Sequence, residues 1–444
     1  MYLWLLIELI NPQSTSSGRY LIAGWLLANM TRGTTTVLLF THSFPYNYAQ
    51  ERSFLEQEIE VLQKRFDQVI LVPKMVVGDL YELPEGMHVD TGLAERVRKI
   101  TWRTKFQVLF SLRFLREILM RARHPVKFRY ALSKILAAYT TRDWLKEKYG
   151  TMATESILLY SFWMDSTSFG AILAKERIPN ARVVTRCHNF DIYGNADNHF
   201  YVPYFNYCYP RFDAVFPDSD QGAEFLQEKI PEIRLRKGIM GVADPGFVNP
   251  GSLDGVFRIV SCAYLVERKR VGLFARSLLH FLKDNPTAKL EWFHIGEGPL
   301  FSELQELSQQ LISEGCPVHL LGNLAHEDMM EFYRTTPLDL FVNSSTFEGT
   351  PVSLMEAISC SIPLLVSDCG GNLIMAKKGG GWHFSVNDDA EKIAQHLHKV
   401  IIELTSNEAS RMNWKNSAHE VWSKEYNSVQ NYKQFCDELQ SLFI

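Results

Sequence analysis

The sequence is poor in the features that would assign it quickly to a membrane, a secreted scaffold or a nucleic-acid partner. Its apolar opening, Met1 to Ile10, is too short to span a bilayer, which takes about 20 apolar residues in a helix. That opening also lacks the basic segment and small-residue cleavage site of a signal peptide. Residues 1–29 are therefore expected to be an extension outside the fold, ahead of a first strand at Thr36 to Phe40. The seven cysteines (187, 208, 262, 316, 360, 369 and 436) are odd in number, scattered and without a Cys-x-x-Cys pair. This argues against a disulfide framework or zinc site and for reduced, buried thiols of a cytosolic protein. The net charge of −4 gives no overall pull toward nucleic acid.

What is present fits an ordinary globular protein, 46% hydrophobic and 22% charged. At 444 residues the chain is too long for one core, so two domains are expected. Positive charge is concentrated in one place. Residues 96–148 hold fifteen Lys or Arg against three acids, a surplus of twelve in a chain whose net charge is −4. Trp102, Phe106, Leu109, Phe110, Leu112, Phe114, Leu115, Ile118 and Leu119 are interleaved with them. The pattern is that of a basic amphipathic helical region, suited to an anionic membrane surface. No nucleic-acid-binding module accompanies the charge, and a plain solvated face is the bland alternative.

The most informative stretch is Leu340 to Asn372, LFVNSSTFEGTPVSLMEAISCSIPLLVSDCGGN. Leu338 to Val342, broken only by Asp339, reads as a buried parallel strand. Thr350 is expected to cap a helix with Pro351 at its first position, where the missing N–H costs nothing. Val352 to Ser359 suits that helix, and Ile362 to Ser367 starts a second apolar strand. A helix start at the carboxyl edge of a sheet is suited to a phosphate. Glu348 lies just ahead of it, and Glu356 about six residues in, about 9 Å along the axis.

Glu348 and Glu356, with seven residues between them, FEGTPVSLMEA around them and Gly370-Gly371 beyond, resemble the paired-glutamate motif of glycosyltransferase family 4. These are the retaining glycosyl transferases of group 1, bacterial polysaccharide-synthesis types among them. The resemblance spans about residues 31–440 and is strongest over 257–372. It implies an α/β fold of the GT-B type: two facing doubly wound, Rossmann-like domains, an inter-domain cleft and a C-terminal crossover helix. It implies an acceptor-binding domain over 30–245, a Pro/Gly-dense linker at 241–251, and a nucleotide-sugar-binding domain over 246–409. Residues 410–444 would pack back on the first domain.

Other stretches extend the likeness. Arg186-Cys187-His188-Asn189-Phe190-Asp191-Ile192-Tyr193 resembles a run in many bacterial members and puts His188 in the sugar pocket. Where relatives carry an arginine and a lysine that grip the donor diphosphate, this chain has Tyr264 and Lys269, with Arg268 or Arg270 able to compensate. Gly296-Glu297-Gly298-Pro299 turns from a strand into a helix, so the backbone comes close to something there. Leu324 would line the nucleotide base. The loop His42 to Tyr48 lacks the Gly-Gly pair that many relatives have.

The reading is thus a sugar transferase using a nucleotide-diphosphate sugar. Glu348 and His188 are its catalytic candidates. Glu356, Lys269, Arg270, Gly349, Thr350, Gly296, Gly298 and Leu324 are its donor-binding candidates. No cofactor or metal is expected, because helix dipole plus lysine can carry the diphosphate charge. The expected partners are the donor, a glycan or lipid-linked acceptor and, through 96–148, an anionic membrane surface, with no nucleic acid. The expected location is the cytoplasm, on the inner face of the plasma membrane. The alternatives are a sugar-nucleotide epimerase, a phosphorylase, or a silent sugar-nucleotide binder.

Overall fold

The computed structural model describes residues 35–47, 51–112, 115–116, 125–150, 156–178, 180–188, 191–192 and 205–443. The extension expected at 1–29, Tyr48, Asn189, Phe190, Tyr193 and part of the basic region lie outside the described residues.

Two six-stranded parallel sheets organise the chain. The first comprises β1 (Thr35–Thr41), β2 (Gln68–Pro73), β3 (His88–Val89), β4 (Ser156–Ser161), β5 (Ala181–Cys187) and β6 (Ala214–Pro217). The second comprises β7 (Phe257–Cys262), β8 (Leu290–Ile295), β9 (Val318–Leu320), β10 (Leu340–Asn343), β11 (Leu364–Ser367) and β12 (Gly381–Phe384). The first runs β3-β2-β1-β4-β5-β6, and the second, read from its far edge, β9-β8-β7-β10-β11-β12. Both are the 3-2-1-4-5-6 order of a doubly wound sheet. Its ligands sit beyond the carboxyl ends of the strands where the order reverses. Here those points are β1/β4 and β7/β10.

The strands are apolar on both faces because helices cover both. Leu38 and Phe40 of β1 join Leu159 and Val183 in one core, while Val37 and Leu39 join Leu158 and Val184 in the opposite one. That second core is completed from the far end of the chain by Phe435, Cys436 and Leu439. They lie on helix Ser428–Gln440, separated at Asn427 from the preceding helical stretch, so the crossover helix expected within 410–444 is broken there. None of the seven cysteines is in a disulfide, and all but Cys262 are buried.

The basic region divides in two. Helix Pro125–Tyr149 buries Ile135, Ala138, Trp144 and Leu145 in the first core. Several of its charges are neutralised internally, by Arg142–Asp143, Lys148–Asp90 and Arg96–Glu147 pairs. Residues 96–148 are therefore not one amphipathic face, and this half of the expected surface is core. The exposed apolar side chains gather instead at Trp102 (75% exposed), Phe106, Leu109, Phe110 (79%), Leu112 and Leu115.

Candidate functional site

Strand β10 delivers its polar end, Asn343, into a loop that holds Glu348. Glu348 is 8% exposed, and three donors converge on its Oε1: the Lys269 ammonium, the Ser345 hydroxyl at 2.6 Å and the Asn343 amide at 3.4 Å. Lys269 comes from the short turn Glu267–Lys269 after β7, so the pair bridges the β7/β10 reversal. The Gly370-Gly371 turn presses on the same loop. A Cβ at Gly370, whose φ is +44°, would stand 1.8 Å from the Glu348 carbonyl, and one at Gly371 2.0 Å from that of Gly349. Glycine at both places is what allows the Glu348 loop to be seated.

The helix that follows is Val352–Ser359, with Pro351 rather than Thr350 at the cap position. Thr350 makes no capping bond; its hydroxyl donates to the Asp218 carbonyl of the first domain. Because the helix starts one residue later than expected, Glu356 lies four residues beyond its start, about 6 Å along the axis. Glu356 is buried and faces His326, whose Nε2 is 3.1 Å from its Oε1. The hydrogen bond to Glu356 raises the His326 pKa above its ordinary value of 6.5. His326 opens helix His326–Thr335, and a histidine in that position gives no sign along the chain that it pairs with Glu356.

Across the cleft, His188 follows β5 and is 8% exposed. Its ring lies between those of Phe162 and Trp163, both with centroids at 4.7 Å. Its Nε2 is 3.1 Å from the Phe162 carbonyl, and its Nδ1 3.8 Å from Asp218 Oδ2. Asp191 accepts the backbone N–H of Met164 at 3.1 Å and of His188 at 3.3 Å. Burial pushes its carboxyl up to about 6. Arg186, which opens the same run, turns the other way: it is buried in an ion pair with Glu58 at 3.0 Å and stacks on Phe435 at 3.9 Å. Asp218 was missed in the sequence reading. Asp218-Ser219-Asp220 has the spacing of a metal-binding pair, yet Asp218 is buried beside His188 and Asp220 is exposed. Among the described residues no group of three or more His, Cys, Asp or Glu is arranged to hold a metal.

Other candidates sit apart from the carboxylates. Arg270, in the left-handed region at φ 49°, donates to the Ser344 and Val386 carbonyls, bracing the loop from behind. Gly296 and Gly298 have φ of 129° and 156°, and a Cβ there would stand 2.2 Å from the Ala263 carbonyl and 2.5 Å from that of Leu265. What the backbone approaches at this turn is the loop after β7. Leu324 is partly buried against the core around Val260 and Phe341. Tyr264 is 56% exposed.

The two domains touch at the site through Thr350 and Asp218, and at Arg52–Glu327, 3.6 Å apart. A cavity beside Lys269 and Asn343 measures about 10 Å³, room for one water, so a sugar would lie in the open cleft. The larger cavity, about 630 Å³, lies elsewhere, among Arg96, Arg103, Gln107 and Lys146.

Residues 249–421 match the family glycosyl transferases group 1. The chain is 28% identical over 243 residues to the putative colanic acid biosynthesis glycosyltransferase WcaL of Escherichia coli, covering 51% of this chain and 58% of that one. It is 27% identical over 171 residues to the lipopolysaccharide core biosynthesis mannosyltransferase LpsB of Rhizobium meliloti, covering 36% and 46%. It thus spans about half the length of these curated relatives. Among solved structures, the lipopolysaccharide outer core galactosyltransferase WaaB superposes with a TM-score of 0.63 at 16% identity, covering 92% of this chain and 99% of that one. Anabaena Alr3699/HepE in complex with UDP-glucose gives 0.59 at 13%, covering 91% and 99%. At such identities the likeness establishes the fold, which is GT-B.

Proposed function

We propose, from the premise that residues 249–421 belong to the glycosyl transferases group 1 family, that this protein moves a hexose-type sugar from a nucleotide diphosphate to a glycan or lipid-linked acceptor, retaining the anomeric configuration. The observation that carries this reading is the convergence of Lys269, Ser345 and Asn343 on Glu348, beside a helix start where Thr350 bonds Asp218, the neighbour of His188. A buried carboxylate ringed by donors holds its orientation, which is what a group placed against a developing positive charge at a sugar carbon needs. The leaving diphosphate lies against the amides at Gly349, Thr350 and the helix start, and it draws Lys269 away from Glu348. Glu356 accepts from the ribose hydroxyls once His326 yields it. His188 meets the sugar from the first domain, and domain closure completes the site.

The relatives' printed roles in colanic acid and lipopolysaccharide synthesis favour polysaccharide assembly. HepE's UDP-glucose favours a uridine nucleotide. The reaction belongs in the cytoplasm at the inner membrane face, where Trp102, Phe106, Leu109, Phe110 and Leu112 enter an anionic surface beside Arg98, Lys99, Arg103 and Lys105. No described helix is long and apolar enough to cross a membrane.

Saturation-transfer NMR over a panel of sugar nucleotides tests the donor. Glu356→Ala should weaken donor binding, whereas Glu348→Ala should leave binding and lower turnover by about 100-fold or more. Trivial effects of both would sink the assignment. A donor altered without any acceptor would make the protein an epimerase, and a donor bound but never cleaved a silent binder. Membrane contact predicts flotation with anionic vesicles that fades as salt rises. Flotation with neutral vesicles alone, or none, removes it.

A further inference from the structure

The loop after β1 is closed on a side chain of its own domain. Glu51, 2% exposed, accepts backbone N–H groups from three consecutive residues: His42 at 2.8 Å, Ser43 at 2.7 Å and Phe44 at 2.8 Å. The Ser43 hydroxyl stands 3.4 Å from the oxygen that Ser43 and Phe44 share, and the Trp163 indole N–H donates to the other. Successive amides converging on one point form an anion-binding concavity. At the carboxyl end of the first strand, beside the reversal of strand order, such a concavity is where a substrate phosphate would seat. Here the protein's own carboxylate has taken the seat. A second anion brought alongside would meet like charge in a place shielded from water. The same carboxylate holds Trp163, and Trp163 forms one wall of His188, with ring centroids 4.7 Å apart.

We propose that Glu51 is a positioning and specificity residue. Its carboxylate is the resident anion of the amide nest at the end of β1, denying that place to substrate phosphates and, through Trp163, fixing the His188 ring in the cleft. At this end of the cleft the acceptor is therefore met as an uncharged polyol, by the Trp163 and His188 rings. That last step rests on the transferase reading above; the filled nest does not.

Protein labelled with 5-fluorotryptophan reports on the nest without needing turnover, with the Trp163 resonance identified by its loss in Trp163→Phe. Inorganic phosphate should leave the wild-type Trp163 resonance in place. In Glu51→Ala the resonance should move, and formate, a free carboxylate small enough to enter, should return it saturably toward the wild-type position while leaving the wild type unmoved. A saturable shift of wild-type Trp163 by phosphate overturns the proposal, and so does a Glu51→Ala resonance that stays in place or ignores formate. Should Glu51→Ala not fold, Glu51→Gln serves, because its carboxamide must turn an N–H₂ toward other donors. Its Trp163 resonance should be displaced, and one coincident with the wild type is equally fatal. A panel in which no sugar nucleotide binds would end the transferase reading and leave these resonances as they are, so the two failures are told apart.

Discussion

His294 shows how one side chain ties stability to pH. It lies on β8 with its Nδ1 2.9 Å from the Ser261 hydroxyl, and burial pushes its pKa down to about 4 from an ordinary 6.5. The unfolded chain binds a proton between those values that the folded chain refuses. Stability is therefore fully present above pH 6.5 and falls as pH drops toward 4, by about 3 kcal/mol over the window. Urea midpoints at about pH 7 and about pH 4.5 should differ less in His294→Gln than in the wild type; an equal difference refutes the assignment. His326 runs the other way. Its pKa is raised, chiefly by the hydrogen bond to Glu356, so that pair is complete below pH 6.5 and is lost as pH rises through the raised value. His326 is half exposed, which limits the pair to below about 1 kcal/mol. In Glu356→Gln the His326 titration followed by NMR should fall toward 6.5, and an unmoved titration would show that another group holds it. At this scale the sequence was legible where a residue's neighbours are local. Glu348, Lys269 and Glu356 could be picked out by motif. That Lys269 spends its charge on Glu348, and that Arg270 serves backbone carbonyls, follows from contacts spanning 79, 74 and 116 positions, invisible along the chain.

Among elements, the Glu348 loop and helix Val352–Ser359 depend on the turn that follows β11. Gly370→Ala places a Cβ into the Glu348 carbonyl at a φ that L residues resist. The cost should be about 1–3 kcal/mol from backbone conformation alone, and more from the clash. Denaturant melts should show it together with a loss of turnover; a variant as stable as the wild type would mean the loop has room to shift. The helix itself was read correctly but for its first position, because its residues, from Val352 through the buried Leu354, Met355 and Ile358, suit no other element beside two strands. Its cap was misread for a physical reason. Thr350 is a good capping residue, but an inter-domain carbonyl competes for its hydroxyl, and Pro351 at φ −75°, ψ 120° stays extended. The basic region was misread similarly, since charge density alone does not reveal which helix turns its apolar side to the core. Among the described residues of that region the exposed apolar side chains are Trp102, Phe106, Leu109, Phe110, Leu112 and Leu115, while helix Pro125–Tyr149 is structural.

At the scale of the molecule, the first domain is not a contiguous piece of chain. Phe435 meets Tyr160 at 5.5 Å and Phe216 at 4.8 Å, and it lies under the Arg186 guanidinium. Phe435→Ala should cost about 3–5 kcal/mol, as large core truncations do. Hydrogen exchange should show β4 to β6 losing protection first; loss centred on β7 and β10 instead would contradict this placement. Two domains, parallel sheets, the strand ends that face the cleft and the pair Glu348 and Glu356 were all determined by the sequence. Apolar runs, cap residues and glycines act over a few positions, and the strand–loop–helix unit is built within them. Which donor each acid holds, which half of the basic region is buried, and that the loop after β1 is filled by Glu51 were decided only by the tertiary structure. Each of these depends on groups brought together from far along the chain, and a carboxylate goes to whichever donors the finished fold leaves within reach.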